Sequence, residues 1–197
     1  LELIEKHGDS FRLCLSLSGV FLEQCEHHRP DILYSFQQLV STGAVEILSE
    51  TYYHSLACLV SKQEFEAQVE KHRAKIKQLF KVEPAVFRNT ELIYNNALAE
   101  QCEDLGFKGI LAEGIPALLG ERSPNPLHRA PNVSKIVTLL RNRGLSDDLG
   151  FRRTDPSWTE FPLSPGTYVD WLATERGNSV NLFMDYESIG EHQDVST

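Results

Sequence analysis

The stretch SKQEFEAQVEKHRAKIKQLFKVEPAVFRNTELIY, residues 61–94, reads as one helix followed by one strand and ends on a polar cluster. Ser61 is placed as an N-cap, and Glu64, three residues on, completes a capping box. Apolar residues at Phe65, Val69, Ile76, Leu79 and Phe80 then recur at helical spacing, so a helix is expected through Phe80. A short apolar run from Ala85 to Arg88 has the length of a strand. Arg88, Asn89, Glu91 and Tyr94 follow it at once.

The same alternation extends outward in both directions. Further strands are expected over Phe11 to Leu17, Ala44 to Leu48, Gly109 to Ala112, Lys135 to Leu140 and Val180 to Asp185. Helices are expected over Asp31 to Ser41 and from Thr90 to Leu105, the latter closed by Gly106 as a C-cap. Leu1 to Lys6 reads as the tail of another helix. Strands alternating with helices predict repeated βα units around a mostly parallel sheet. Two Pro- and Gly-rich stretches, Gly114 to Asn132 and Ser146 to Pro165, break the rhythm and are expected as long irregular loops at the mouth of a barrel. Six strands without evident first and last members suggest a barrel with a piece missing.

A chain of 197 residues fits one domain or most of one. With 41% hydrophobic and 24% charged residues, the composition is that of an ordinary globular protein. Acidic residues outnumber basic ones 28 to 19, for a net charge of -9. No basic block is present, which argues against nucleic acid or an anionic membrane as a partner. Cys14, Cys25, Cys58 and Cys102 are scattered without a CxxC pair and read as reduced thiols of a cytoplasmic protein. No apolar run reaches the roughly 18 residues of a membrane span.

Polar residues collect where the expected strands end. Ser16 and Ser18 follow the first, and Glu46, Glu50, Tyr52, Tyr53 and His54 accompany the second. Arg88, Asn89, Glu91 and Tyr94 follow the third, Glu113 the fourth, and Arg141, Asn142, Asp147 and Asp148 the fifth. Asp185, Tyr186 and Glu187 follow the last, with Glu191, His192 and Gln193 beyond. One strand-end carboxylate is often a helix cap; five strands doing the same point to an active-site rim. Glycoside chemistry would need two carboxylates in different environments, one ionised and one holding a proton. Arg88 could keep a nearby carboxylate ionised, and partial burial behind the run Val180 to Met184 would raise the pKa of Asp185. Tyr52, Tyr53, Tyr94, Trp158 and Tyr186 are candidate platforms for sugar rings. Residue types alone leave several carboxylates open, among them Glu46, Glu113, Asp148 and Glu187.

Four segments resemble motifs of glycoside hydrolase family 57, in its α-amylase-like group. Gly43-Ala44-Val45-Glu46-Ile47-Leu48, running on through Glu50 to Leu56, is similar to the second motif, with Ala44 where a glutamine is usual. Val86-Phe87-Arg88-Asn89-Thr90-Glu91-Leu92-Ile93-Tyr94 is similar to the third, and Leu140 to Asp148 resembles a segment common in the group. Leu182 to His192, with Phe183-Met184-Asp185-Tyr186-Glu187 at its centre, is similar to the fourth.

The resemblance implies Glu91 as nucleophile and Asp185 as general acid/base of a retaining α-glycosidase or 4-α-glucanotransferase acting on α-1,4-glucans through a glycosyl-enzyme. The resemblance implies no metal and no cofactor, and the candidate substrate contacts along the rim are Glu46, His54, Arg88, Glu113, Asp148, Tyr186 and His192. It also implies an incomplete seven-stranded (β/α) barrel, as in this family and in polysaccharide-deacetylase-like folds, formed by residues 1–197 as one catalytic domain truncated at both ends. The histidine-containing first motif of the family, at the end of the first strand, has no counterpart here.

Two other readings stand beside it. A metal-dependent polysaccharide deacetylase or α-mannosidase would need matched His and Asp ligands, but the histidines follow no recognisable ligand spacing. A glucan-binding relative with a degenerate site is the other, and the presence of both carboxylates weighs against it.

Overall fold

The computed structural model describes residues 1–193. The chain divides into two compact units, Leu1–Ile110 with Ala130–Ile136, and Leu111–Arg129 with the described residues from Val137 onward.

The first unit opens with α1 (Glu2–His7), β1 (Leu13–Ser16), α2 (Gly19–His28), α3 (Pro30–Ser41) and β2 (Val45–Leu48). α4 (Lys62–Phe80), β3 (Val86–Arg88), α5 (Asn96–Asp104) and the start of β4 (Gly109–Glu113) follow. β1 and β2 pair in parallel, from Leu13 opposite Val45 to Ser16 opposite Leu48. Ser49 carries the pairing on to β3: its N–H donates to Val86 O at 2.9 Å, and Arg88 N–H donates to Ser49 O at 2.7 Å. β3 in turn neighbours β4. The C-terminal ends of three successive strands therefore lie side by side.

Hydrophobic burial explains this arrangement. Leu15, Val45 and Ile47 point into one cluster with Leu22, Phe36, Val40 and Ile76 from α2, α3 and α4. Phe65 and Val69 of α4 pack with Phe87, Leu98, Cys102, Phe107 and Ile110 in a second. The Phe65 and Phe87 rings meet edge to face at 5.5 Å. Each such fully buried side chain contributes about 1.5 to 3 kcal/mol. As expected, α4 is capped by Ser61, whose Oγ accepts from Glu64 N–H at 3.2 Å.

α2 was not foreseen in the sequence, though Ser18 caps it by accepting from Phe21 N–H. Gly19 at its start is required sterically, because a Cβ there would lie 2.4 Å from the ring of Tyr52. The helix expected from Thr90 begins instead at Asn96. Glu91 and Leu92 have φ of 55° and 53°, left-handed values that end any helix. Asn95 starts the helix by accepting from Leu98 N–H at 2.8 Å.

The second unit contains the rest of β4, α6 (Pro116–Leu119), β5 (Val137–Arg141), α7 (Arg143–Gly150) and α8 (Pro165–Thr174). β4 neighbours β5. The region expected to be irregular from Ser146 to Pro165 is helical at both edges, since α7 runs to Gly150 and α8 starts at Pro165 behind the Ser164 cap. The expected strand from Val180 to Asp185 reduces to one parallel bridge between Arg141 and Asn181. Beyond it, side chains replace a ladder: Arg141 Nε donates to Phe183 O at 2.8 Å, and Phe183 N–H donates to Ser146 Oγ at 3.2 Å.

Asn125 anchors the preceding loop. It is fully buried, its carbonyl accepts from the N–H groups of Asn178 and Ser179, and its side-chain amide donates to Glu175. Gly177, at φ 144°, lets the chains approach, since a Cβ would sit 2.6 Å from that of Asn125.

Candidate active site

In the first unit, side chains from the ends of β1, β2 and β3 form one connected chain. Glu50, two residues past β2, is 1% exposed. Its Oε1 accepts from Ser16 Oγ–H at 2.7 Å, and its Oε2 lies 3.0 Å from His54 Nδ1. His54 Nε2 lies 3.3 Å from Glu91 Oε1. Burial by itself would raise the pKa of Glu50. The hydrogen bonds from His54 and Ser16, with the positive field of Arg88, outweigh it and hold the carboxyl below its usual value. The hydrogen bond to Glu50 is the main cause that raises His54; burial and Arg88 oppose it, and Glu91 adds to it.

A buried histidine supports the chain from below. His72 Nε2 lies 2.9 Å from the Leu17 carbonyl, an acceptor only, so that nitrogen carries the hydrogen. Nδ1 is then free to accept from Glu50 N–H at 3.4 Å. Burial lowers the pKa of His72, in keeping with this neutral tautomer.

The backbone around the chain is unusual. Among the described residues, the non-glycine residues with positive φ are His54, Lys81, Glu91 and Leu92, and three of these four belong to the two loops bearing the chain. Conformations of this kind cost about 1 to 3 kcal/mol each and persist where the surroundings impose them. Here the loops lock together: Thr90 Oγ1–H donates to Ser55 O at 3.0 Å, and Asn89 Nδ2 donates to Ile93 O at 2.9 Å. The result presents Glu91 outward, its side chain 72% exposed.

Arg88 ends β3, and its charge acts on Glu50 and His54. Glu46 lies within β2 opposite Cys14, exposed and apart from this chain. Tyr52 is not a sugar platform: it is 2% exposed, and its hydroxyl donates to Glu23 at 2.5 Å. Tyr94 packs against the second core cluster, whereas Tyr53 is half exposed beneath the Lys71 ammonium.

In the second unit Arg141 is the hub. Its guanidinium meets Glu113 at 3.3 Å and Asp147 at 2.6 Å while also holding the Phe183 carbonyl. Asp185 follows at the start of the turn Tyr186–Ser188, where its carbonyl accepts from Ser188 N–H at 3.1 Å. Asp185 is exposed, so the partial burial expected for it is absent; the half-buried run ends at Met184. Tyr186 is 76% exposed, and His192 N–H donates to Glu187 O. Asp148 pairs with Arg152 at 2.6 Å and lines a cleft of about 490 Å³ with Leu145, Trp158, Glu160, Trp171 and Glu175. Trp158 stands edge to face with Trp171 at 6.2 Å and beneath the Arg152 guanidinium.

Sequence reasoning named Glu50 and Arg141 as strand-end residues but gave neither a role. Their signal was present, a charged residue in each case next to an apolar strand. Among the described residues, no group of three or more His, Cys, Asp or Glu is arranged to hold a metal, and no helix is long and apolar enough to cross a membrane.

The Glycosyl hydrolase family 57 model matches residues 1–197. A Methanocaldococcus jannaschii protein named "Putative alpha-amylase" is 47% identical over 193 residues, 98% of this chain and 40% of its own length. The 4-α-glucanotransferase of Thermococcus litoralis superposes with a TM-score of 0.66 at 18% identity, covering 95% of this chain and 33% of that one. The family 57-type branching enzyme of Pyrococcus horikoshii gives 0.61 at 16% identity, covering 76% and 42%. The structural likenesses show an α/β fold of the (β/α)-barrel type, and the chain spans well under half the length of each of these proteins. With the family model covering every residue, the chain belongs to glycosyl hydrolase family 57.

Proposed function

We propose that this chain carries the catalytic carboxylates of a retaining α-glycoside hydrolase or 4-α-glucanotransferase acting on α-1,4-linked glucans. The observation that carries the reading is Glu91, an exposed carboxylate on a left-handed turn at the end of β3, held by one oxygen and open at the other. A nucleophile needs that presentation: oriented and accessible.

Glu91 attacks the anomeric carbon while Asp185 gives its proton to the departing sugar oxygen. Water or an acceptor sugar then attacks the face opposite Glu91, from which the first sugar left, returning a proton to Asp185 and the bonding pair to Glu91. The exposure of Asp185 at the start of a turn suits a group that must exchange protons with solvent. The names of the M. jannaschii and T. litoralis relatives support an α-glucan substrate. The free thiols of Cys14, Cys25, Cys58 and Cys102 support a cytoplasmic setting.

The test is Glu91→Gln in the protein carrying this chain, assayed on maltooligosaccharides. Turnover should fall by on the order of 10⁴ or more, as expected for loss of a nucleophile. Wild-type-like turnover would remove Glu91 from the role. A carboxyl separation near 9 Å, rather than about 5 to 5.5 Å, would exclude retention by this pair.

A further inference from the structure

We propose that His54, gripped by buried Glu50, is the positioning residue of Glu91: it fixes one oxygen of that carboxylate and leaves the other to react. The proposal deepens the reading of Glu91 as nucleophile and rests on it. The rim position of His54 suggested a substrate contact; the geometry points to a different task.

Both ring nitrogens of His54 are committed to carboxylates, Nδ1 to Glu50 at 3.0 Å and Nε2 to Glu91 at 3.3 Å. A carboxylate only accepts. With both acids ionised, both nitrogens must carry hydrogen and the ring is an imidazolium. Glu50 is suited to hold that charge, because Ser16 Oγ–H and the His72-bound backbone N–H fix it in place and burial shields it from water. His54 therefore acts as a bridge with one rigid end. Its left-handed backbone, φ 52°, directs the ring from the Glu50 side toward Glu91.

The consequence for the reaction follows atom by atom. Nε2–H holds Oε1, so Oε2 of Glu91 forms the bond to the anomeric carbon as the bond to the leaving oxygen breaks. In the second half the bond from the anomeric carbon to Oε2 breaks, and the electron pair returns to Glu91. Nε2–H then faces the carboxylate as it regains its charge. Fixing the carboxyl plane in both halves is worth a rate factor of about 10² if a misplacement near 1 Å is avoided.

The charged groups facing His54 are Glu50, Glu91 and Arg88, the last opposing its protonation. As pH rises and the ring loses its proton, Nδ1 keeps its hydrogen for Glu50, and Nε2 turns a lone pair toward Glu91. Turnover should then fall. Replacing Glu50 with Gln removes the main cause that keeps the ring charged, so this fall should begin at lower pH.

The experiment uses the protein carrying this chain. A fluorinated α-glucosyl fluoride traps the glycosyl-enzyme, and peptide mapping finds the labelled residue. Label on Glu91 supports the nucleophile reading, whereas label elsewhere overturns that reading and this inference together. With Glu91 labelled, His54→Asn and Glu50→Gln are then compared with wild type. Asn tolerates the left-handed backbone at position 54, and Gln fills the buried space of Glu50. Counting active sites by the label separates misfolded protein from slow protein. Per active site, kcat should fall about 10- to 100-fold with KM within about twofold, and the alkaline limb of Glu50→Gln should move to lower pH. Unchanged kcat per labelled site and an unmoved pH profile in both variants would overturn the positioning role and leave the nucleophile reading standing.

Discussion

The turn bearing Glu91 and the segment bearing Asp185 solve the same problem in different ways. Glu91 follows a strand paired within the sheet, and its carboxylate is reached by a hydrogen-bonded chain that starts on a buried acid. Asp185 follows a run with one bridge to β5, and what holds that run is backbone caught by side chains, Phe183 between Arg141 and Ser146. The first region positions a side chain; the second positions a stretch of main chain and leaves the carboxylate to solvent. On the roles proposed above, a nucleophile that attacks along one line would benefit from the first, and an acid/base that trades protons from the second.

The sharpest way to break the contrast is Arg141→Met. It would leave Glu113 without its cation, leave Asp147 with Arg143 at 3.5 Å in place of the closer Arg141, and free the Phe183 carbonyl, lowering stability by about 3 kcal/mol in thermal or urea unfolding. Ser16→Ala acts on the other region. Loss of a hydrogen bond to a charged acceptor should cost about 1.5 kcal/mol and should also move the pH profile of stability. Glu50 has a lowered pKa, so its stabilisation is present above its ordinary value of 4.5 and is lost as pH falls through the folded value. Without Ser16 that folded value rises, and acid unfolding should begin at higher pH; an unmoved acid midpoint would show that Ser16 does little. His54 sets the opposite edge, since its raised pKa gives stability that is full below 6.5 and lost as pH rises through the folded value. The smallest effect is expected for Ser146→Ala, about 1 kcal/mol, without a shift of the acid midpoint. A shift equal to that of Ser16→Ala would erase the distinction between the two regions.

Much of this was legible beforehand, for identifiable reasons. The first five strands announced themselves as short apolar runs because apolar side chains on each are wholly or partly shielded by neighbouring strands or helices. The sixth run had the same composition, but strand character needs partners on the ladder, and the chain supplies Arg141 and Ser146 side chains instead. The helix expected at Thr90 failed because nothing in residue type marks Glu91 and Leu92 as left-handed; their loop is held in part by residues 51–55, remote in sequence. α8 could have been read from Ser164 and Pro165, a cap followed by proline at the first helical position. The family motifs singled out Glu91 and the strand-end pattern His54, whereas the bond between Glu50 and His54 is visible only in three dimensions.

Asn125 has a consequence for how this protein can diversify. On one side of residues 115–122 the chain is fixed at Glu113 by Arg141, and on the other by the buried Asn125 with its bonds to residues 175–179. With both stems clamped, the short helix and turn between them form an exchangeable cassette. Doubling the length of such a loop costs only about 0.6 kcal/mol in closure entropy. Lineages, or a library maker, can rewrite it while the scaffold on either side keeps its register.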